Sequence, residues 1–267
     1  GIGNGADEVF LALQKEIKKK KLNIRLKKTG CFGFCSQETL VNVHVPGQPL
    51  LIFKQVRPQE VRKIISYVLT GKLSETDVLC KIEDWDVLAD QHSFGKGYPR
   101  IPLWNEVPFF KGQKKIVMRN SGLIDPEDIE EFLAVGGYSA LHKALFDMDP
   151  NRVVDQVKLA KLRGRGGAGF PTGIKWEMMA KAESREKYII CNADEGDPGA
   201  YMNRNVIESD PHSLLEGMII GAFAMGVSRG MVYVRAEYPL AVERLKIALN
   251  QARKAGLLGA NILGSTF

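Results

Sequence analysis

The sequence predicts an α/β protein made of two modules, and three observations carry that reading. Helical and strand patterns alternate along most of the chain, which argues for sheets with helices on their faces. Charge is divided unevenly: residues 1–75 hold 13 Lys/Arg against 6 Asp/Glu, a net of +7, while the other 192 residues net to −1. A glycine-dense stretch, 162–176, lies deep in the second part and is followed by an apolar strand pattern. At 267 residues, one large or two modest domains are expected. A hydrophobic content of 45% is that of a soluble globular chain. The longest apolar run, 214–227, is interrupted by Glu216 and glycines and is too short to span a bilayer.

In the first module, residues 6–20 read as an amphipathic helix with Val9, Phe10, Leu13 and Ile17 on one face. The basic run Lys18 to Lys21 falls at its C-terminal end, where the helix dipole favours cations, so it reads as a solvated terminus and not as a nucleic-acid patch. Residues 23–28 alternate as a strand. A loop, 29–36, carries Cys31 and Cys35. Two short strands, 40–45 and 50–53, flank Pro46-Gly47 as a hairpin. A closing helix, 58–69, points Val61, Ile64, Ile65, Val68 and Leu69 inward. The module thus runs helix, strand, strand, strand, helix over 1–75. Residues 76–114 read as a linker, too long for a connection inside one compact domain, with exposed aromatics Trp85, Phe94, Tyr98 and Trp104. Within it, Cys80 reads as a buried structural thiol and His92 as a surface or packing residue. Four cysteines and no secretory signal point to thiols or metal ligands in a reducing compartment, the cytoplasm.

The second module, 115–267, opens with a short strand at 116–119 and a helix started by Asp125-Pro126 and stopped by Gly136-Gly137. Further helices are expected at 138–146 and from Pro150 to about Leu162. Glycine then falls at 164, 166, 167, 169 and 173. Such a loop lets a ligand lie on bare backbone N–H groups, and Arg165 and Lys175 add positive charge suited to phosphate. It contains a literal G-x-G-x-x-G from Gly164 to Gly169, but a helix precedes it where the dinucleotide fingerprint needs a strand. A flexible linker is the bland alternative, and the interleaved Phe170, Pro171 and Trp176 count against it. A strand at 187–191 runs into Asn192-Ala-Asp-Glu-Gly-Asp-Pro-Gly199. Polar groups at the C-terminal end of an apolar strand occupy the usual ligand position of open α/β sheets. A buried helix (212–225), a core strand (230–235) and an amphipathic helix (238–255) follow, the last with Ala241, Leu245, Ala248 and Ala252 on one stripe.

Taken together, the glycine loop through Lys175-Trp176 and the Cys191-Asn-Ala-Asp-Glu stretch resemble the flavin- and NADH-binding 51 kDa-type subunit family of respiratory complex I and NAD(P)-linked hydrogenases. The resemblance continues through Asp210-Pro-His-Ser-Leu-Leu-Glu-Gly217, Tyr233-Val-Arg-Ala-Glu-Tyr-Pro-Leu240 and Gly259-Ala-Asn-Ile-Leu-Gly264. It implies a Rossmann-like α/β flavin-binding domain. It further implies an FMN site lined by Gly164, Arg165, Gly166, Gly167, Ala168 and Gly169. Lys175 would stand near the flavin, Asn192, Asp194 and Glu195 at its ribityl chain or ring edge, Phe170 on NAD(H) or NADP(H), and Asp197 on the dinucleotide. Hydride transfer is direct, so no side chain is expected to act as acid or base. The first module, with its Cys31-x-x-x-Cys35 loop, is similar to the thioredoxin-like 2Fe-2S ferredoxin domain, in which this loop supplies the second cysteine pair. The family's remaining flavin-site loops and its 4Fe-4S domain would follow Phe267. The resemblance therefore implies a chain truncated at both ends, with part of a flavin pocket, an incomplete cluster site and weak or absent activity. Partners would be the other subunits of a hydrogenase, formate dehydrogenase or NADH dehydrogenase complex, with no nucleic acid and no membrane span. Two other classes stay open: a stand-alone NAD(P) dehydrogenase, and a cofactor-free interaction subunit.

Overall fold

The computed structural model describes residues 1–87 and 90–267. The chain divides into two compact units, Gly1–Leu123 and Ile124–Phe267. Both mix helix and strand.

The first unit begins with α1 (Ala6–Lys19), whose Val9 and Leu13 are buried as the helical spacing requires. Leu22, Ile24 and Leu26 pack alternately on the same core. Residues 23–28 are nevertheless not a strand. Alternation fixes which face is buried, but a strand also needs a neighbouring backbone to pair with. That pairing occurs further on. β1 (Val41–Val43) lies antiparallel to β2 (Leu50–Phe53), with Val41 opposite Phe53 and Val43 opposite Leu51, so the expected hairpin forms. β2 is buried throughout because it is central: β3 (Val78–Ile82) pairs on its other side, Ile52 opposite Cys80. Between them, α2 (Val61–Thr70) buries Val61, Ile64, Ile65 and Tyr67, while Leu69, expected inward, is 53% exposed. Gly71, at φ +71°, terminates it in the left-handed conformation that glycine adopts without a Cβ penalty.

The stretch 76–114 is therefore not a linker. It supplies the third strand of the sheet and a further hairpin, β4 (Asp84–Val87) with β5 (Asp90–Ser93). Its aromatics pack instead of draping outward: Trp85 is buried, and Trp104 stacks on Phe110 with centroids 3.5 Å apart. Cys80 is fully buried, as expected of a structural thiol. The side chain of His92 falls outside the described residues. The boundary between units also lies later than residue 115, because Leu123 still packs on the cluster that contains Phe32 and Phe110. Residues 116–119 form turns, not a strand, with Ile116 and Val117 left exposed.

In the second unit, α3 (Ile129–Ala134) starts later than Asp125-Pro126 suggested. Asp128 caps it by accepting from the Glu130 N–H, while Asp125 accepts from Glu127 in the turn before. α4 (Ser139–Asp147) and α5 (Pro150–Leu159) follow, α5 capped by Asp149. Next come α6 (Thr172–Lys181), β6 (Tyr188–Ala193), α7 (Met202–Ser209), α8 (Pro211–Met225), β7 (Arg229–Val234) and α9 (Pro239–Lys254). β6 and β7 pair in parallel from Tyr188–Arg229 to Ala193–Val234. Parallel neighbours need a long crossover, which α7 and α8 provide. α9 buries Ala241, Leu245, Ala248 and Ala252 as its stripe predicts. The two strands, expected to be buried, are covered on one face only. Ile190, Met231 and Tyr233 are each more than half exposed. No helix among the described residues is long and apolar enough to cross a membrane.

Candidate functional site

The glycine loop is closed at its base. Arg163 and Pro171 form an antiparallel bridge, Gly164 N donates to Phe170 O at 2.9 Å, and Thr172 N donates to Leu162 O at 2.9 Å. Between these ties the chain bulges into solvent. Gly167 and Gly169 adopt φ of +94° and +61°, the region where a Cβ is strained. A Cβ built on Gly166 or Gly167 meets nothing within 4 Å. None of the N–H groups from Arg165 to Gly169 donates to a backbone carbonyl among the described residues. The loop is thus an open cradle of unspent donors leading straight into α6. Arg165 folds back onto the carbonyl of Arg163 at 2.8 Å. Lys175 projects from the first turn of α6 and is exposed, as is Phe170 at 46%. Gly173 serves packing instead. A Cβ there would lie 2.7 Å from Lys158 N, so its absence lets α6 approach α5.

The second predicted group sits where β6 ends. Asn192 accepts from the Asp194 N–H at 3.0 Å, turning the chain, and both residues are exposed. Glu195 is turned inward and only 8% exposed. Its two carboxylate oxygens accept from Asn203 N and Arg204 N at 3.0 and 3.1 Å, so it satisfies the free N–H groups that open α7. Its carbonyl accepts from Arg235 at 2.8 Å and from the Tyr238 hydroxyl at 2.9 Å. Arg235 also lies 3.8 Å from Asp194 and pairs with Glu237 at 2.9 Å. Arg235 and Tyr238 are the residues that reading the sequence did not single out. They lie in the quoted stretch after β7, but nothing in their spacing marks them as braces for β6. Asp197 is exposed, and its carbonyl accepts from Ala200 N. The structure keeps each group together locally, and no hydrogen bond or ion pair among the described residues joins the glycine loop to the 192–197 turn. Both elements pack on α8, where Trp176 and Ile189 meet Gly221.

In the first unit, Cys31 and Cys35 lie in one loop with Glu38. The three donor atoms fall within 4.8 Å of one another. The Cys31 thiol donates to Glu38 Oε1 at 3.0 Å and accepts from Gly33 N at 3.1 Å. Burial, reinforced by Glu38, pushes the Cys31 thiol up to about 12. Cys35 is exposed. The Lys115 ammonium sits over the rings of Trp104, Phe110 and Phe32 at 4.9–5.5 Å and donates to the Phe32 carbonyl, and burial lowers it to about 8. Neither Glu38 nor Lys115 carried a signal in the sequence, because each reaches the loop only through the fold.

Residues 157–265 match the family model described as the "Nuo51 FMN-binding domain". Among curated relatives, the chain is 57% identical over 157 residues to the NADP-reducing hydrogenase subunit HndC of Solidesulfovibrio fructosivorans, covering 59% of this chain and 32% of that one. It is 50% identical over 173 residues to an NADH-quinone oxidoreductase subunit of Aquifex aeolicus (strain VF5), covering 64% and 39%. The chain thus spans about a third of the length of the curated relatives it matches. Among solved structures, a chain of an NAD+-reducing NiFe hydrogenase in the H2-reduced state aligns over 77% of this chain and 30% of its own length. Its identity is 24% and its TM-score 0.42, too low to bear on the fold.

Proposed function

Proceeding from residues 157–265 as the Nuo51 FMN-binding domain they match, we propose that the chain is part of a flavoprotein subunit that passes electrons from NADH or NADPH to iron–sulfur centres. In this reading the second unit is a Rossmann-like flavin-binding domain and the first a thioredoxin-like one. The other subunits of a hydrogenase, formate dehydrogenase or NADH dehydrogenase complex are its partners. The cytoplasm is its compartment, a placement supported by four free cysteines.

The observation that carries the proposal is the pinched glycine loop, with unspent N–H groups and open space where a Cβ would stand. Those donors suit the phosphate of FMN, and Arg165 and Lys175 bring the compensating charge. FMN, when bound, takes up a hydride from a nicotinamide and gives up electrons singly. The chain's own residues bind and orient. Phe170 offers an exposed ring for stacking on NAD(H) or NADP(H), and Asn192, Asp194 and Asp197 offer exposed hydrogen-bonding groups for hydroxyls. Glu195, occupied by α7, acts by fixing the turn that presents them.

An FMN titration of the full chain, read by quenching of flavin fluorescence, tests this. The expected result is saturable one-to-one binding that Gly166→Val weakens at least about tenfold, a loss of some 1.4 kcal/mol, without lowering thermal stability. Equal FMN affinity in the variant would remove the loop from the site. Absence of binding by the unsubstituted chain would favour the alternative, a truncated or cofactor-free interaction subunit of such a complex.

A further inference from the structure

We propose that a groove in the first unit is the docking site for an acidic segment of a partner protein, which seats one apolar side chain between carboxylates. The groove, of about 410 Å³, is lined by the end of β2, by α2 and by the chain that leads from α2 to β3. Its floor is apolar: Phe53, Val56, Ile64 and Tyr67, all buried, with half-buried Leu73 beside them. The aliphatic stems of the lysines at its edge extend that apolar surface. The polar atom of the floor, the Tyr67 hydroxyl, is already spent on Gln48 Oε1 at 3.1 Å and on the Tyr98 hydroxyl at 3.0 Å. A small-molecule pocket orients its ligand by polar groups placed inside it. This floor offers none that is free, so the groove suits an apolar anchor whose polar contacts are made at the edge.

The charges decide what the anchor must carry with it. Four cations, Lys54, Arg62, Lys63 and Lys72, line the groove against two carboxylates, Glu60 and Asp77. Lys63 takes both carboxylates, at 3.6 and 3.8 Å, and Arg62 pairs with Glu16 at 3.3 Å. The backbone N–H groups of Lys54 and Lys72 are fixed, to Asp77 O at 3.1 Å and to Thr70 Oγ1 at 3.2 Å. Their ammonium groups enter no hydrogen bond or ion pair among the described residues. The unpaired charge of the groove is therefore positive, and complementarity calls for carboxylates on the occupant. Nucleic acid fits less well. Single strands bind by stacking bases on exposed aromatic faces, whereas Phe53 and Tyr67 are buried, and Glu60 and Asp77 would oppose phosphates.

Fluorescence anisotropy of a labelled peptide, one phenylalanine flanked by glutamates on each side, titrated with the full chain, tests the site. The expected result is saturable binding that weakens as salt rises from about 0.1 M to 1 M, where the Debye length falls from about 10 Å to 3 Å. Two variants separate charge from anchor. K54E/K72E reverses the unpaired cations and should weaken binding at least about tenfold. S66F places a ring in the groove from an exposed position of α2 and leaves every charge in place, and it should weaken binding by a similar factor. Both positions lie outside the core, and circular dichroism checks that both variants keep the parent's fold. Absence of saturable binding by the parent would overturn the proposal. So would equal affinity for a peptide with lysine in place of glutamate, or an S66F affinity equal to the parent's. Oligouridylate or phosphatidylserine vesicles that bind more tightly than the peptide, lose affinity in K54E/K72E and keep it in S66F would also overturn it, and would reassign the lysines to a nucleic acid or a membrane surface.

Discussion

Gly166 and Gly173 stand seven positions apart in one motif, and the backbone needs them for opposite reasons. At Gly173 a Cβ would fall 2.6–2.9 Å from Lys158 Cγ, N and Cα, so an added methyl forces α5 and α6 apart. Gly173→Ala should lower the unfolding free energy by about 1–3 kcal/mol, the usual cost of overpacking, measurable by urea unfolding. At Gly166 nothing stands within 4 Å and φ is not positive, so Gly166→Ala should change stability by no more than about 0.5 kcal/mol. In the proposed reading its effect falls on FMN affinity. If Gly173→Ala were neutral, the close α5–α6 approach would not be what holds that glycine. The sequence made the loop legible as a cradle, since glycine density alone excludes regular structure there. It could not separate these two glycines, because the neighbour that crowds Gly173 is fixed only when α5 packs on α6. The same holds for Glu195, which reads as a ligand contact in the motif and is turned inward by the start of α7.

At the scale of elements, the second unit is tied by a buried polar chain. The Tyr138 hydroxyl bonds His212 Nδ1 at 2.9 Å, His212 Nε2 bonds Gln251 Oε1 at 3.0 Å, and the Gln251 amide donates to Glu127 O at 2.7 Å. Gln251 presents its oxygen to the ring, so Nε2 carries the proton and Nδ1 accepts from Tyr138. The chain joins the start of α4, α8, α9 and the turn before α3. Burial holds His212 below its ordinary value, against the bond from Gln251. A folded pKa below the unfolded one means that the unfolded state binds more protons. The stability His212 contributes is therefore present above about pH 6.5 and lost as pH falls below it. The difference in unfolding free energy between the parent and His212→Gln should shrink from pH 7.5 to 5.5, and a constant difference would refute the buried neutral imidazole. Tyr138→Phe, which leaves Nδ1 without its donor, should cost about 1–3 kcal/mol. Most helices were legible because spacing and caps are local. The strand misreadings share one cause. Residues 23–28 and 116–119 carry strand-like side chains without a pairing backbone, and Val78–Ile82 found one inside a stretch that looked like a linker.

At the scale of the whole molecule, the division between Leu123 and Ile124 separates two cores that share no cluster: one around Leu51 and Ile65, the other around Leu141 and Ala248. The charge split in the sequence foreshadowed two units, but placed the boundary too early because charge reports surfaces and not which residues pack. Two separate cores should respond separately to a ligand that only one of them binds. A ligand that binds only the folded form stabilises by mass action, by about 2.7 kcal/mol at a hundred times its Kd. In the proposed reading FMN binds the second unit alone. Differential scanning calorimetry of the full chain should therefore show two transitions. FMN should raise one of them and leave the other in place. A single transition raised by FMN would mean that the units unfold as one cooperative body. In that case the two units would be energetically coupled despite their separate cores.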